Sequence, residues 1–291
     1  MKISKSYRAF MFCNYVVLTV MILLCILPLW HILMISISSP GPASANEVSL
    51  WPVGFMLDNY VYALGQQGIR QPFVTSVTRV VLGVLLNMGM VVMAAYPLSK
   101  DSKAFPGKMV YAWLFIFVML FNGGIIPNYV LVKTLGLIDT IWALVLPGAV
   151  SVFYVIIMLN FFRQLPKELE EAAFIDGASH FRTLTAIYLP LSVPSLATLT
   201  LFSAVGHWNS WFDGMIYIRD PARYPLTTYM QSLLSQLQRM TSSRDAERLA
   251  FTSRRGLMMC YIVIALIPIM LVYPFLQKYV KSGLVLGSVK G

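Results

Sequence analysis

The chain has 291 residues, of which 58% are hydrophobic and only 12% charged, with a mean hydropathy of +0.71. A soluble domain of this size carries about 25% charged residues, so half that value together with long apolar runs points to lipid as the solvent. The net charge of +10 would favour nucleic acid in a soluble protein, but here the basic residues sit between apolar runs, where topology and anionic lipid account for them; no nucleic-acid partner is expected.

In chain order, a short basic start (Lys2, Lys5, Arg8) precedes an apolar run over 10–37. That run exceeds the 7–15 or so residues of a signal-peptide core and reads as a retained first helix. Spanning a bilayer takes about 20 mainly apolar residues. Six segments reach it: 10–37, 73–99, 108–127, 139–162, 187–216 and 257–277. The expected fold is therefore all-α, a polytopic membrane protein of six transmembrane helices in one domain over 1–291, with its core at 73–277. Pro28, Pro147, Pro194 and Pro268 fall inside these segments, where membrane helices tolerate kinks. Cys13, Cys25 and Cys260 lie in or beside apolar runs, form no CxxC pair, and read as free thiols.

Lys and Arg in the loops set the orientation. With both termini cytoplasmic, the inner pieces carry basic clusters such as Lys100, Lys103 and Lys108, or Arg163, Lys167 and Arg182, and the first two outer loops carry only Arg70 and Lys133. The first outer loop, 38–72, holds Trp51-Pro52 and Asp58-Asn59-Tyr60 and reads as an ordered external segment. The third, 217–256, breaks the pattern, with seven arginines against Asp220, Asp245 and Glu247. Its stretch from Thr227 to Leu249 is expected to form one or two short helices outside the bilayer. An excess of arginine there would attract an acidic binding protein or acidic sugars.

Polar residues inside the spans are the candidate substrate pathway. On the second segment Ser76, Arg79, Gly83 and Asn87 share one face, and Arg79 either snorkels outward or meets substrate or a carboxylate. Asn122 with Gly123 and Gly124 marks a distortion of the third. Ser151, Tyr154 and Met158 form a weaker stripe on the fourth. On the fifth, Thr200, Ser203, His207, Ser210 and Trp211 recur at spacings of three and four. Hydroxyls, an imidazole and an indole on one stripe suit a sugar; the alternative is packing on a partner helix through interhelical hydrogen bonds. Asn209 and Asp213 fall on another face and are expected to hold loop structure.

The inner loop between the fourth and fifth segments carries most of the information. Pro166 suits a helix start, Glu168, Glu170 and Glu171 crowd a first turn where the dipole favours acids, Ala172 and Ala173 are strong helix formers, and Gly177 ends the helix before a second short one from Ala178. On physics alone this is a helix–turn–helix across the cytoplasmic face, or a solvated amphipathic loop. Glu171-Ala172-Ala173, then Asp176-Gly177 after two intervening residues, then Ile187-x-Leu189-Pro190, resembles the EAA motif of bacterial ABC importer permeases. Over nearly the whole chain the resemblance is closest to carbohydrate-uptake permeases of the maltose-importer type, in the branch for complex oligosaccharides; Trp208 to Asp213, Tyr217 to Asp220 and the tail Gly283 to Gly291 fit it less specifically.

The resemblance implies that this loop is the coupling helix, seated in a groove of an ATPase subunit, with Glu171, Ala172, Ala173, Asp176 and Gly177 in that role. It implies a bacterial plasma-membrane location and four kinds of partner: a second homologous permease, an ATPase dimer, an extracytoplasmic solute-binding protein and an oligosaccharide, besides membrane lipid. The chain has no GxxxxGK[ST] loop, no His/Cys/carboxylate cluster at metal-ligand spacing around His31, His180 or His207, and no nucleophile–base pair. No enzyme activity and no cofactor are expected in this chain, ATP and Mg being held by the ATPase. A stand-alone secondary transporter or channel would need an internal inverted repeat, and none is evident.

Overall fold

The computed structural model describes residues 5–65, 69–101, 104–239 and 253–288, and these are helical with irregular connections. The chain divides into two compact units, Met1–Ile69 with Met230–Ile267, and Arg70–Tyr229 with Pro268–Gly291.

In the first unit, α1 (Lys5–Ser36) ends where Ser36 and Ser38 turn their hydroxyls back onto the carbonyls of Leu33 and Met34, both at 2.7 Å. The chain then folds through α2 (Pro40–Ala45) and α3 (Asp58–Gly65). Asn59 on α3 donates to the Ser36 carbonyl at 2.9 Å, and the Tyr60 hydroxyl meets Ser36 Oγ at 2.8 Å. Met34, Ile35, Ala43 and Val48 form a small core that Met259 joins from the last helix, α15 (Arg254–Ser288). The segment after α1 is thus ordered by burial and hydrogen bonds. By contrast, α1 is apolar all round and none of its most apolar stretch is buried within the chain, so lipid or another subunit covers it.

The second unit contains α4 (Arg70–Ser99), α5 (Lys108–Leu120), α6 (Ile125–Thr134), α7 (Trp142–Val145), α8 (Val152–Gln164), α9 (Lys167–Ile175) and α10 (His180–Thr183). A π-helical turn (Leu184–Tyr188) leads to α11 (Leu189–Leu191), α12 (Val193–Asn209) and α13 (Phe212–Tyr217); α14 (Leu226–Arg239), which follows a 3-10 turn, starts in this unit and continues in the first. The helix expected within 227–249 is α14, and the remainder of that stretch, with Arg244 and Arg248, lies outside the described residues. α4 packs on α8 and α12 around Val91, Ala95, Tyr96, Met158, Phe162 and Leu199.

Among the described residues, three helices are long and apolar enough to cross a membrane, within α1, α4 and α15, and the count rises to five if each of two bent helix pairs is one span. Three expected runs are not continuous. The run 108–127 breaks at Phe121–Gly124, where Gly124 adopts φ +84, and α5 and α6 meet at 115°. That conformation is open to glycine and strained for other residues. The run 139–162 breaks at Pro147-Gly148, leaving a single turn (α7) and the shorter apolar helix α8. The run 187–216 bends by 81° ahead of α12, where Pro194 occupies the first turn, and ends at Asn209.

Candidate functional site

The loop after α8 folds as a capped helical hairpin. α9 starts behind Pro166 with Glu168 and Glu170 in its first turn. It stops in a Schellman arrangement: Gly177 N–H donates to the Phe174 carbonyl at 3.0 Å and Ala178 N–H to the Ala173 carbonyl at 2.9 Å, with Gly177 at φ +79. Nothing lies within 4 Å of the position a Cβ would take on Gly177, so the glycine answers the backbone angle and not crowding within this chain. Ser179 then caps α10, accepting from Arg182 N–H at 3.4 Å, so that helix starts at His180, two residues after the expected start at Ala178. Ala173 is buried, whereas Glu171, Ala172, Asp176 and Gly177 are exposed. Ile175 and Phe181 are 86% and 74% exposed, and Leu169 and Phe174 are exposed as well, among the charged residues of the hairpin.

Glu170 ties this hairpin to α4. Its Oε1 lies 2.8 Å from Lys100 Nζ, and its Oε2 accepts from the Tyr188 hydroxyl at 2.6 Å. Lys100 Nζ sits 4.0 Å from the ring centroids of both Tyr96 and Tyr188, a cation enclosed by two π faces and a carboxylate. Burial pushes the Lys100 ammonium below its ordinary range, against the pull of Glu170 in the other direction. Nearby, Lys167 and Asp101 pair at 2.9 Å on the exposed rim, and Lys167 holds the Asp101 carboxyl below its usual range.

The polar stripe of α4 faces the stripe of α12. Asn87 donates to the carbonyls of Gly148 and Ala149 at 2.9 and 2.8 Å, and its own carbonyl accepts from Ser203 Oγ at 2.7 Å and meets His207 Nε2 at 3.1 Å. The α7–α8 break frees backbone carbonyls, and Asn87 satisfies them. One turn away Gly83 admits the imidazole: a Cβ there would lie 2.4 Å from His207 Nε2. Gly83→Ala is therefore expected to displace His207 from Asn87 and destabilise the chain by about 1–3 kcal/mol, read as a lowered unfolding temperature in detergent. Asn87→Leu is expected to weaken the same seam by about 2–4 kcal/mol, since it strands two carbonyls as well as Ser203.

Further along, Arg79, 2% exposed, donates to the Ser210 carbonyl at 2.9 Å and forms a two-pronged ion pair with Asp213. Asp213 also accepts from Ser210 Oγ and from Gly214 N–H, each at 2.9 Å. Of the two expectations for Arg79, the carboxylate partner is the one present. The structure therefore gathers these residues into two hydrogen-bonded groups between α4, α12 and the start of α13: Asn87 with Ser203 and His207, and Arg79 with Ser210 and Asp213. Trp211, Tyr154 and Asn122 stand apart. Trp211 is exposed just past α12; Tyr154 is half-buried on α8; Asn122 is exposed and accepts from Gly124 N–H at 2.9 Å, shaping the α5–α6 break. The helical angle of Asp213 points to loop structure, but charge is the better signal: Arg79 and Asp213 are the single charged residues of 73–99 and 187–216, and they are of opposite sign.

Residues 102–286 match the model of a family described as binding-protein-dependent transport system inner membrane component. The chain is 39% identical over 288 residues to Protein LplC of Bacillus subtilis (strain 168), covering 99% of this chain and 97% of that one. It is 37% identical to the polygalacturonan/rhamnogalacturonan transport system permease protein YtcP of the same organism, covering 98% and 99%. Among solved structures it resembles, at 31% identity and a TM-score of 0.85 over 96% of this chain and 99% of that one, a chain of a bacterial ABC transporter involved in the import of the acidic polysaccharide alginate. The chain belongs to the binding-protein-dependent transport system inner membrane components, the multi-pass permease subunits of ABC importers, whose ATPase is a separate chain.

Proposed function

We propose that this permease forms half of the translocation pathway for an acidic, uronate-containing oligosaccharide, and that α9 is the coupling helix through which a separate ATPase drives it. The observation that carries the coupling role is the capped hairpin itself: Glu171, Ala172, Asp176 and Gly177 exposed, Ala173 anchoring, and Ile175 and Phe181 presented beyond the spans. Support for the cargo comes from relatives named for polygalacturonan/rhamnogalacturonan and alginate, both polymers of uronic acids or containing them. Arg219 beyond α13 suits a carboxylate through the guanidinium fork, while Arg223 already meets Asp139 and Asp220.

In this reading the chain crosses the membrane six times as one domain over 1–291, with its core at 73–277, and both termini are cytoplasmic. It pairs with a second, homologous permease and binds an ATPase dimer, which holds ATP and Mg; this chain holds no cofactor. A solute-binding protein delivers the oligosaccharide to the outer face. Closure of the ATPase dimer moves α9, and the spans shift population from inward-open to outward-open. Arg79, Asn87, Ser203, His207 and Ser210 position the α4–α12 seam, while Trp211, Tyr154 and Asn122 offer rings and an amide to passing sugar.

The test is uptake by the assembled transporter in proteoliposomes. Saturable uptake of an oligogalacturonide and none of a neutral oligosaccharide of equal length is expected; equal uptake of both would overturn the acidic assignment. Gly177→Leu is expected to abolish uptake while the chain still inserts and assembles, and unchanged uptake would overturn the coupling role of α9.

A further inference from the structure

Two cavities at the α9 end of the spans share two cations. The first, of about 400 Å³ (430), is polar and lies between the end of α4, the end of α8 and α9. Lys100, Lys108, Arg163 and Lys167 line it, opposed by Asp101, Glu170 and Glu171. Two of these acids are already engaged, Glu170 by Lys100 and Asp101 by Lys167. Lys108 and Arg163 form no ion pair among the described residues. The second cavity, about 210 Å³, is an apolar groove between α5 and α8, walled by Ala112, Phe115, Ile116, Val155, Ile156 and Leu159. Its polar lining consists of the same Lys108 and Arg163, and Glu171 does not reach it.

A hydrocarbon slot that opens beside two cations with no ion pair of their own, Lys108 donating only to the Lys100 carbonyl, at the end of membrane helices matches an amphiphile with an anionic head and an alkyl chain. Basic pockets between transmembrane helices bind phospholipid head groups in this way, and arginine and lysine both bind phosphate, arginine through its fork. We propose that this is a binding site for one anionic phospholipid, its phosphate held by Lys108 and Arg163 and one acyl chain lying in the α5–α8 groove. A zwitterionic lipid fits the groove equally well but brings a choline cation toward Lys108 and Arg163. A free phosphate satisfies the cations and leaves the groove unfilled.

The experiment is native mass spectrometry of the intact transporter, delipidated in detergent and titrated with phosphatidylglycerol or phosphatidylcholine of identical acyl chains. Wild type is expected to bind phosphatidylglycerol more tightly by at least tenfold. In Lys108→Ala/Arg163→Ala the preference is expected to vanish, since two cations near an anionic head group account for about that much. Lys108→Arg/Arg163→Lys, which keeps both charges, retains it. Ala112→Trp, which fills the groove, weakens both lipids. Equal binding of the two lipids to wild type overturns the proposal, and this holds whether or not any variant folds. So does an undiminished preference in the double alanine variant, or full displacement of the lipid by millimolar inorganic phosphate, which would mark an anion pocket only.

Discussion

Asp213→Asn is expected to remove about 3–5 kcal/mol from the stability of the membrane-embedded chain, because it leaves the Arg79 guanidinium buried without its counter-charge. The loss falls on both sides of the seam, since Asp213 also accepts from Ser210 Oγ and Gly214 N–H. Removing both charges together is expected to hurt less: Arg79→Met/Asp213→Leu retains more stability than either charge-removing single variant, because no ion is stranded. Unfolding of the purified chain by heat or by titration with a denaturing detergent, followed by tryptophan fluorescence, distinguishes these. A double variant no more stable than Asp213→Asn would show that the pair is not the element holding α4 to the α12–α13 junction.

Lys100→Met is expected to give the second large effect, this time on transport. The substitution keeps the chain length between the Tyr96 and Tyr188 rings but removes the charge that Glu170 meets. Loss of a largely buried ion pair of this kind costs about 2 kcal/mol, equivalent to about a thirtyfold change in the equilibrium that docks α9. Uptake should therefore fall by up to about thirtyfold while the assembled complex forms in normal amounts. Lys100→Arg, whose planar group stacks on tyrosine rings, should recover most of it. A cysteine placed at Ala172 reports the docking directly: its labelling rate should change in Lys100→Met and return in Lys100→Arg. Labelling that is unaffected, with normal uptake, would mean that Glu170 and Lys100 do not hold the hairpin.

Length and hydropathy were sufficient to pick out α1, α4 and α15 as long apolar helices, because each runs unbroken past the prolines it contains, such as Pro28, Pro72 and Pro268. They were insufficient for the third to fifth runs. Hydropathy is blind to backbone angle, and the Gly123-Gly124, Pro147-Gly148 and Pro194 breaks interrupt helices without making the sequence any more polar. The hairpin around α9 was legible almost residue by residue, since caps and helix stops are local chemistry. What joins it to α4 was not: Lys100 and Glu170 are seventy positions apart, and either alone reads as an ordinary solvated charge. The α4 and α12 stripes were visible as stripes. That they would turn toward each other was beyond periodicity, which places residues on a face but does not say what the face meets.

The long-range bonding of α4 also bears on the timing of biogenesis. Asn87 waits 61 residues for Gly148 and 116 for Ser203, and Arg79 waits 134 for Asp213. At ribosomal rates of about 5–20 residues per second, the arginine spends on the order of ten seconds in a chain whose counter-ion has not been made. During that interval an isolated α4 is a poor lipid-facing helix, with a charge and an amide on one side. That polar side is satisfied within the chain only once α12 and the start of α13 have been made.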